Sequence, residues 1–356
     1  MEFLALTLMF FGIFSMVGTQ IIIKWLLSEV PQKNKQRYFS EMEVNVVISV
    51  VAASFLIFWF LSPINTLWNT WTSLHPDNIL FWGALLIGAL VNTCIRFATT
   101  KSYSKADLSL VAPIQAMTPG LIVASAMLIG EFPSAMGYIG IFLIIVGTYV
   151  HIREGATIQE YFKPLFIWRL FTAPDNMSHV SVEAKEALLQ TRSALRWAYG
   201  SAAMGTVGLL STGIMSRHGD VAFGSAIDQI ITTLIFLAAF SYLSRSDKKV
   251  EYAPLKARVG EHKWLLLSMG ILYGLHMILI ISAFRLAPIA YIGSLKRISI
   301  FLTVLAGIFI LKESQFVWRR VGLVSIIVVG AVLLALDPTQ AIVLNSLDDY
   351  LLLLRK

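Results

Sequence analysis

The 356-residue chain has little charge and almost no cysteine. Asp, Glu, Lys and Arg make up 14% of it, against about 25% in an average soluble domain, and hydrophobic residues make up 57%. This composition excludes an ordinary soluble protein. The single cysteine, Cys94, excludes an intramolecular disulfide and leaves the cellular compartment open.

Familiar enzyme motifs are also missing. The chain has no glycine-rich phosphate loop, no His-Glu-x-x-His pair and no Gly-x-Ser-x-Gly elbow. Its six histidines are scattered without the spacing of metal ligands. We therefore expect no enzyme activity, no metal and no cofactor. The net charge of +7 does not indicate nucleic-acid binding, because the cations fall in predicted membrane loops.

Long apolar runs dominate the sequence instead, and the mean hydropathy is +0.73. At about 20 residues per membrane-spanning helix, they predict an all-α polytopic membrane protein with ten transmembrane helices. The first run lacks a positive n-region and a small-residue cleavage site, so we expect a retained span rather than a cleaved signal. The predicted spans are roughly 3–27, 43–62, 79–100, 106–130, 133–151, 194–217, 219–243, 264–286, 288–311 and 317–336.

The Lys and Arg residues indicate the orientation. Of the 28, 21 fall in loops on one side of the ten spans and 4 on the other. Cationic loops stay in the cytoplasm. We therefore expect a multi-pass protein of the cell (inner or plasma) membrane with both termini non-cytoplasmic. The other three cations, Arg96, Lys296 and Arg297, lie inside predicted spans, where a charge costs about 2.5–3.5 kcal/mol.

An internal repeat divides the chain. Each half holds an odd number of spans, so the halves would insert with opposite orientation. We expect two inverted five-helix repeats (1–152 and 194–337), a cytoplasmic linker (153–193) and a C-terminal tail (338–356). In such transporters the substrate site lies near the midplane where the repeats meet. The repeat rests on a shift of 182 residues, which superposes Trp82 on Trp264, Gly88 on Gly270, Glu131 on Glu313 and Gly140 on Gly322.

Two sets of residues, one in each half, carry a resemblance to a known family. They are Tyr103, Ala106, Pro113, Pro119, Gly130, Glu131, Gly140 and Gly147, and then Phe284, Arg285, Leu286, Ala287, Pro288, Lys312, Glu313, Gly322 and Gly330. Through them the chain resembles EamA-type carriers of the drug/metabolite transporter superfamily over residues 1–337. The resemblance implies ten spans in two inverted repeats around a cavity lined by spans 1, 3, 4, 6, 8 and 9. It leaves the substrate open, and the long linker departs from the compact family pattern.

Lys296 and Arg297 are the first candidates for substrate binding, because an ionisable group inside a membrane helix is costly without a use. Neighbouring residues on a helix point about 100° apart, so only one of them can face a cavity squarely. The 182-residue shift places Arg297 on Gln115, and a slip of one residue would place Lys296 there. The alternative is a structural role, through a salt bridge to Asp228 or bonds to freed carbonyl groups. Asp228 either pairs with one of these cations, which is preferred, or takes up a coupling proton.

Two further polar residues are candidates for the substrate site. His276 lies near the centre of the eighth predicted span and either relays a proton, binds an anion or serves packing. Arg96 either snorkels to the cytoplasmic interface, which is preferred, or extends a positive cavity inward.

Six residues are expected to be structural. Glu131 and Glu313 end the fourth and ninth predicted spans and would cap or latch neighbouring helix ends. Pro113 and Pro119 would kink the fourth span. Gly270 and Gly274 form a small-x3-small row for close helix packing.

Together these features favour a secondary transporter that moves a small organic, anionic or carboxylate-bearing metabolite by alternating access. Its expected partners are the small-molecule substrate, the lipid bilayer and, if transport is proton-coupled, a proton. It would act as a monomer or a homodimer. Two alternatives stay open: a flippase that holds a lipid phosphate between the cations, and a non-transporting membrane scaffold that acts through its linker.

Overall fold

The structure is a computed structural model that describes residues 2–28, 38–62, 79–118, 121, 134–152, 182–246, 252–286, 296, 298–313 and 317–336. In these ranges the regular secondary structure is helical. A short 3₁₀ helix, Ala112–Met117, directly follows the α-helix Leu108–Val111. The α-helices are α1 (Glu2–Leu26), α2 (Glu41–Leu61), α3 (Ile79–Tyr103), α4 (Leu108–Val111), α5 (Ala135–Ile152), α6 (Val182–His218), α7 (Val221–Ser246), α8 (Tyr252–Glu261), α9 (Lys263–Leu286), α10 (Ile298–Phe309) and α11 (Val317–Ala335).

Five of the described helices, α1, α2, α3, α7 and α9, are long and apolar enough to cross a membrane. Their surfaces fit that environment. Phe58 of α2 is 73% exposed and Leu234 of α7 is 61% exposed, whereas Asn45 and Ser49 of α2 are fully buried. Large apolar side chains outside and polar ones inside would be unfavourable in water. The described helices are therefore those of a multi-pass membrane protein.

The chain divides into two compact units. The first combines Met1–Thr100 with Val207–Ile292, and the second combines Lys101–Thr206 with Gly293–Lys356. Each unit thus draws on both halves of the sequence. Two helices run from one unit into the other: α3 near its C-terminal end, and α6 past its middle.

In the first unit, α1 packs along α9, and α2 packs against both α7 and α9. Glycine makes the contact of α9 with α2 close. A Cβ on Gly274 would lie 2.6 Å from Cδ1 of Phe55, and one on Gly270 would overlap the side chain of Val51. The row of small residues on α9 therefore serves close helix packing.

Polar contacts in the first unit join α8 to the start of α2. Ser40 caps α2, with its Oγ accepting from the Glu43 N–H while its own N–H donates to Glu43 Oε2. Arg258 of α8 forms an ion pair with Glu43 at 2.9 Å and donates to the Tyr38 carbonyl at 2.8 Å. These contacts of Arg258 hold α8, a helix that the apolar pattern did not predict, against the start of α2.

In the second unit, α5 packs along α11, and α10 packs against α4 and α11. The contact of α5 with α11 is so close that a Cβ on Gly330 would lie 2.7 Å from the Gly140 carbonyl oxygen. The apolar core of α10 and α11 contains Ile300, Val304 and Ile327.

Three predicted spans differ in detail from the described helices. The sixth predicted span, 194–217, lies within the longer helix α6, so the linker is helical from Val182. Within the ninth predicted span, 288–311, the described helix α10 begins at Ile298. Lys296 lies in a turn, where Ser299 donates to its carbonyl from both N–H and Oγ. The fourth predicted span changes from α to 3₁₀ geometry at Ala112, next to Pro113, which has no N–H to donate.

Candidate functional site

Helix α3 places its polar side chains on one face. Asn92, Arg96 and Thr100 follow one another at intervals of four residues, which aligns them along a helix. Leu86 and Leu90, by contrast, are more than half exposed. Because polar groups need partners when buried, this face of α3 must meet other polar side chains.

Arg96 lies at the centre of these contacts. It is only 7% exposed, so the predicted snorkelling to the interface is wrong: the guanidinium finds buried partners instead. Its Nη1 donates to Ser49 Oγ at 2.6 Å and its Nη2 to Gln229 Oε1 at 2.9 Å. Its Cζ lies 4.2 Å from the ring centroid of Tyr273, a cation–π contact. All three partners are neutral groups.

Asp228 is joined to this cation through an amide. Gln229 Nε2 donates to Asp228 Oδ2 at 3.2 Å, and Asn92 Nδ2 donates to Oδ1 at 3.4 Å. Arg96 acts on the carboxylate by electrostatic attraction across Gln229. The expected pairing of Asp228 with Lys296 or Arg297 stays a prediction, because Lys296 belongs to the second unit and Arg297 lies outside the described residues.

Neutral hydrogen bonds extend the network along α3. Thr93 donates to Thr232 Oγ1 at 3.1 Å, and Thr100 donates to Asn45 Oδ1 at 3.1 Å. These contacts tie α3 to α7 and to α2 respectively. They hold the helices in register around Arg96 without adding charge.

His276 of α9 joins the same unit. Its Nδ1 lies 2.9 Å from the Gly12 carbonyl oxygen, which can only accept, so Nδ1 carries a proton. Its ring lies 6.4 Å from that of Tyr273. The structure therefore brings together three predicted site residues, Arg96, Asp228 and His276. Sequence reasoning gave no role to Ser49, Gln229 or Tyr273.

A second polar cluster, in the second unit, surrounds the start of α4. The Glu313 carboxylate accepts from the Leu108 N–H at 2.7 Å and the Ser109 N–H at 2.9 Å, which is the geometry that the capping interpretation describes. Buried Arg320 donates to Asp107 at 3.1 Å and, at short range, to Ser109 Oγ. The cluster joins α4 to α11.

The remaining predicted site residues also belong to the second unit or lie outside the described ranges. Gln115 lies in the 3₁₀ helix and interacts with the buried Tyr103. Pro113 is buried beside it. Glu131 and Pro119 lie outside the described residues, like Arg297. Among the described residues, no three His, Cys, Asp or Glu side chains group as metal ligands do.

Comparison with known proteins shows the fold and names no activity. No family model and no curated protein matches the chain. Nine chains of solved structure match it. One of them, described as "Crystal structure of protein", aligns with a TM-score of 0.58 at 13% sequence identity, over 94% of this chain and 98% of its own. At this identity the likeness shows a shared fold alone.

Proposed function

We propose that the protein is a secondary transporter for a small organic anion, built from ten membrane spans in two inverted five-helix repeats. The observation that carries this proposal is the Arg96 guanidinium, buried in a membrane-compatible helix and bonded to neutral side chains. A cation in that place is costly unless an anion compensates it, and the Asp228 carboxylate reaches Arg96 only across Gln229. A carboxylate-bearing substrate would compensate the guanidinium directly.

The positions of the helices support the repeat. The 182-residue shift moves three helices of the first half onto three of the second, with ends that agree within three residues. Helix α2, Glu41–Leu61, shifts to 223–243, and α7 spans Val221–Ser246. Helix α3, Ile79–Tyr103, shifts to 261–285, and α9 spans Lys263–Leu286. Helix α5, Ala135–Ile152, shifts to 317–334, and α11 spans Val317–Ala335.

Helix packing inside the units supports it as well. α2 packs against its counterpart α7, and α5 against its counterpart α11. The shift also relates α1 to α6 and α3 to α9. α1 packs on α9, and the corresponding pair, α6 and α3, is in close contact: a Cβ on Gly208 of α6 would lie 2.9 Å from Asn92 Oδ1 of α3. A set of pairs that is preserved when the halves are exchanged is expected of a pseudo-two-fold axis.

The Arg96 network lies where the two proposed repeats meet inside the first unit. Arg96 and Ser49 come from the first half, and Gln229 and Tyr273 from the second. This is the place where inverted-repeat transporters bind substrate. The network itself is not repeated, because the shift places Arg96 on Ile278. Substrate preference would thus be encoded by one polar set on a symmetric scaffold.

Exposed aromatic side chains support membrane insertion of these helices and do not select one orientation, because Trp and Tyr are enriched at both interfaces. Near helix ends they are Trp25, Tyr138, Tyr242, Trp264 and Trp318, and Trp197 lies within α6. Aromatic residues of this kind mark membrane interfaces. Trp197 would mark where α6 enters the membrane, so the part of α6 before it extends into the cytoplasm.

Lys296 and Arg297 remain proposed substrate-binding residues. Replacing either by Ala should abolish transport while expression is kept. Normal transport by both variants would remove them from the site.

The proposal is tested with the purified full-length protein and three organic anions: lactate, succinate and phenyl phosphate. A ligand of the folded state raises the melting temperature by mass action. We expect at least one anion to raise it, and its uncharged counterpart, lactamide or succinamide for the carboxylates, to have no effect. Arg96→Gln should lose the response and Arg196→Gln, at an exposed position on α6, should keep it. A response that persists in Arg96→Gln would contradict the proposal, and a response to phenyl phosphate alone would favour a lipid-phosphate flippase.

A further inference from the structure

Gln229 lies between a cation and a carboxylate. Its Oε1 accepts from Arg96 and its Nε2 donates to Asp228. A guanidinium can only donate, so it requires the amide oxygen, and an ionised carboxylate can only accept, so it requires the amide nitrogen. One amide orientation therefore satisfies both charged neighbours.

A proton on Oδ2 of Asp228, the oxygen that faces Gln229, removes this agreement. The Oδ2–H group is a donor, and it needs the amide oxygen of Gln229 in place of Nε2. The amide is satisfied again when it turns over and presents Oε1 to Asp228. Nε2 then faces Arg96 Nη2, where two donors meet and no hydrogen bond forms. The bond from Arg96 to Gln229 thus belongs to the ionised state of Asp228.

Release of Nη2 frees a complete binding edge of Arg96. Nη2 and Nε form the side of the guanidinium that takes a carboxylate through two parallel hydrogen bonds. Within the described ranges, Nε is buried and has no acceptor. Nη1 keeps its bond to Ser49, and the guanidinium keeps its stacking on Tyr273. The freed edge therefore stays in a fixed orientation.

Resting on the transport function proposed above, we propose that Gln229 couples proton binding at Asp228 to carboxylate binding at Arg96. One proton neutralises the Asp228 carboxylate and one substrate carboxylate pairs with Arg96, so loading with a monocarboxylate leaves the net charge of the site unchanged. Proton and substrate would cross the membrane together, as an electroneutral symport.

Asp228 is the group that we expect to take up the proton, given the charged and titratable side chains around it. Arg96 on α3 is the charged group that acts on it. Helix α2 contributes neutral Asn45 and Ser49 to the network. Helix α9 contributes the titratable residues Tyr273 and His276, and the His276 Nδ1 proton is held by the Gly12 carbonyl.

The first arm of the test needs no substrate. The full-length protein is labelled with ¹⁵N-arginine in detergent, and the Arg96 side-chain signals, assigned with Arg96→Gln, are followed over pH. Wild type should show one titration step at Arg96, and Asp228→Asn should show none. Gln229→Leu should lose most of the step, whereas Gln190→Leu, at an exposed position on α6, should keep it. An Arg96 step of unchanged size in Gln229→Leu would overturn the coupling.

The second arm uses lactate, with lactamide as the neutral control. Above the pH at which Asp228 ionises, wild-type affinity for lactate should fall about tenfold per pH unit, because the competent state becomes rarer by that factor. Wild type should take up one proton per bound lactate, measured with an indicator dye in weak buffer. Gln229→Leu should bind lactate with a much shallower pH profile and with much less proton uptake, because only the direct electrostatic attraction between Arg96 and Asp228 remains. Equal slopes in wild type and Gln229→Leu would overturn the coupling, whereas absence of lactate binding would count against the proposed function and leave the first arm to decide the coupling.

Discussion

Removing Asp107 should destabilise the protein more than removing its ion-pair partner Arg320. The two side chains are 3.1 Å apart but differ in exposure: Arg320 is 3% exposed and Asp107 is 42% exposed. Arg320 has a second acceptor in Ser109 Oγ. Asp107 precedes α4 but makes no side-chain capping bond there, so its replacement removes no cap.

The unequal exposure sets the size of each effect. Arg320→Met leaves a carboxylate that water can reach, so the loss is that of a hydrogen bond to a charged group, about 1.5–3 kcal/mol, and the exposure of Asp107 favours the lower end. Asp107→Ala removes the carboxylate that lies 3.1 Å from a guanidinium that stays buried, and loss of one partner of a buried charge costs about 3–5 kcal/mol. The two variants should therefore differ by about 2 kcal/mol in the free energy of unfolding.

Reversible unfolding of the purified protein in mixed micelles measures this difference. Arg196→Met, at an exposed position, is the matched control and should behave as wild type. The double variant Asp107→Ala/Arg320→Met removes both charges of the pair and should be no less stable than Asp107→Ala alone. Equal losses in the two single variants, or a larger loss in Arg320→Met, would refute the reasoning.

Three further predictions follow from particular backbone positions and from the charge pattern. A Cβ on Gly322 meets nothing within 4 Å, so Gly322→Ala should stabilise the protein by up to about 1 kcal/mol. A Cβ on Gly330 would press on the Gly140 carbonyl, so Gly330→Ala should destabilise it by about 1–2 kcal/mol. Equal stabilities of the two variants in thermal unfolding would contradict this. Lys312 has a φ of 58°, so Lys312→Gly should stabilise by about 0.5–1 kcal/mol and Lys312→Ala should not; a gain in both would refute the backbone explanation. A reporter fused after Lys356 should read as non-cytoplasmic, and a cytoplasmic reading would overturn the proposed orientation.

The sequence predicted the long helices well, because an apolar run of membrane length has few other ways to satisfy its backbone. Helices α2, α3, α7, α9 and α11 lie close to their predicted ranges. Helix α8 was not predicted, because it lacks an apolar run and hydropathy could not separate it from a loop. Helix α8 depends on the bond between Arg258 and Glu43, which are 215 residues apart.

The candidate site was predicted by residue type but not by arrangement. Arg96 and Asp228 could be recognised because each is a charged residue inside an apolar run, which the neighbouring sequence alone shows. Their partners are not local: Ser49 and Gln229 lie 47 and 133 residues from Arg96 in the sequence. From its position in the third predicted span, the Arg96 side chain could extend to the membrane interface or turn towards the protein interior. The helices that pack against α3 determine which of the two occurs. The intervals from Asn92 to Arg96 to Thr100 were the available sign of an inward polar face.

Transport by Arg96 variants decides whether Arg96 binds the transported anion. Purified protein is reconstituted into liposomes, and uptake of the labelled anion that raises its melting temperature most is measured as counterflow against the unlabelled anion. We predict wild-type uptake in Arg196→Gln, strongly reduced uptake in Arg96→Lys, because lysine cannot form two parallel hydrogen bonds, and no uptake in Arg96→Gln. Uptake at the wild-type rate in Arg96→Gln would contradict the proposed role of Arg96.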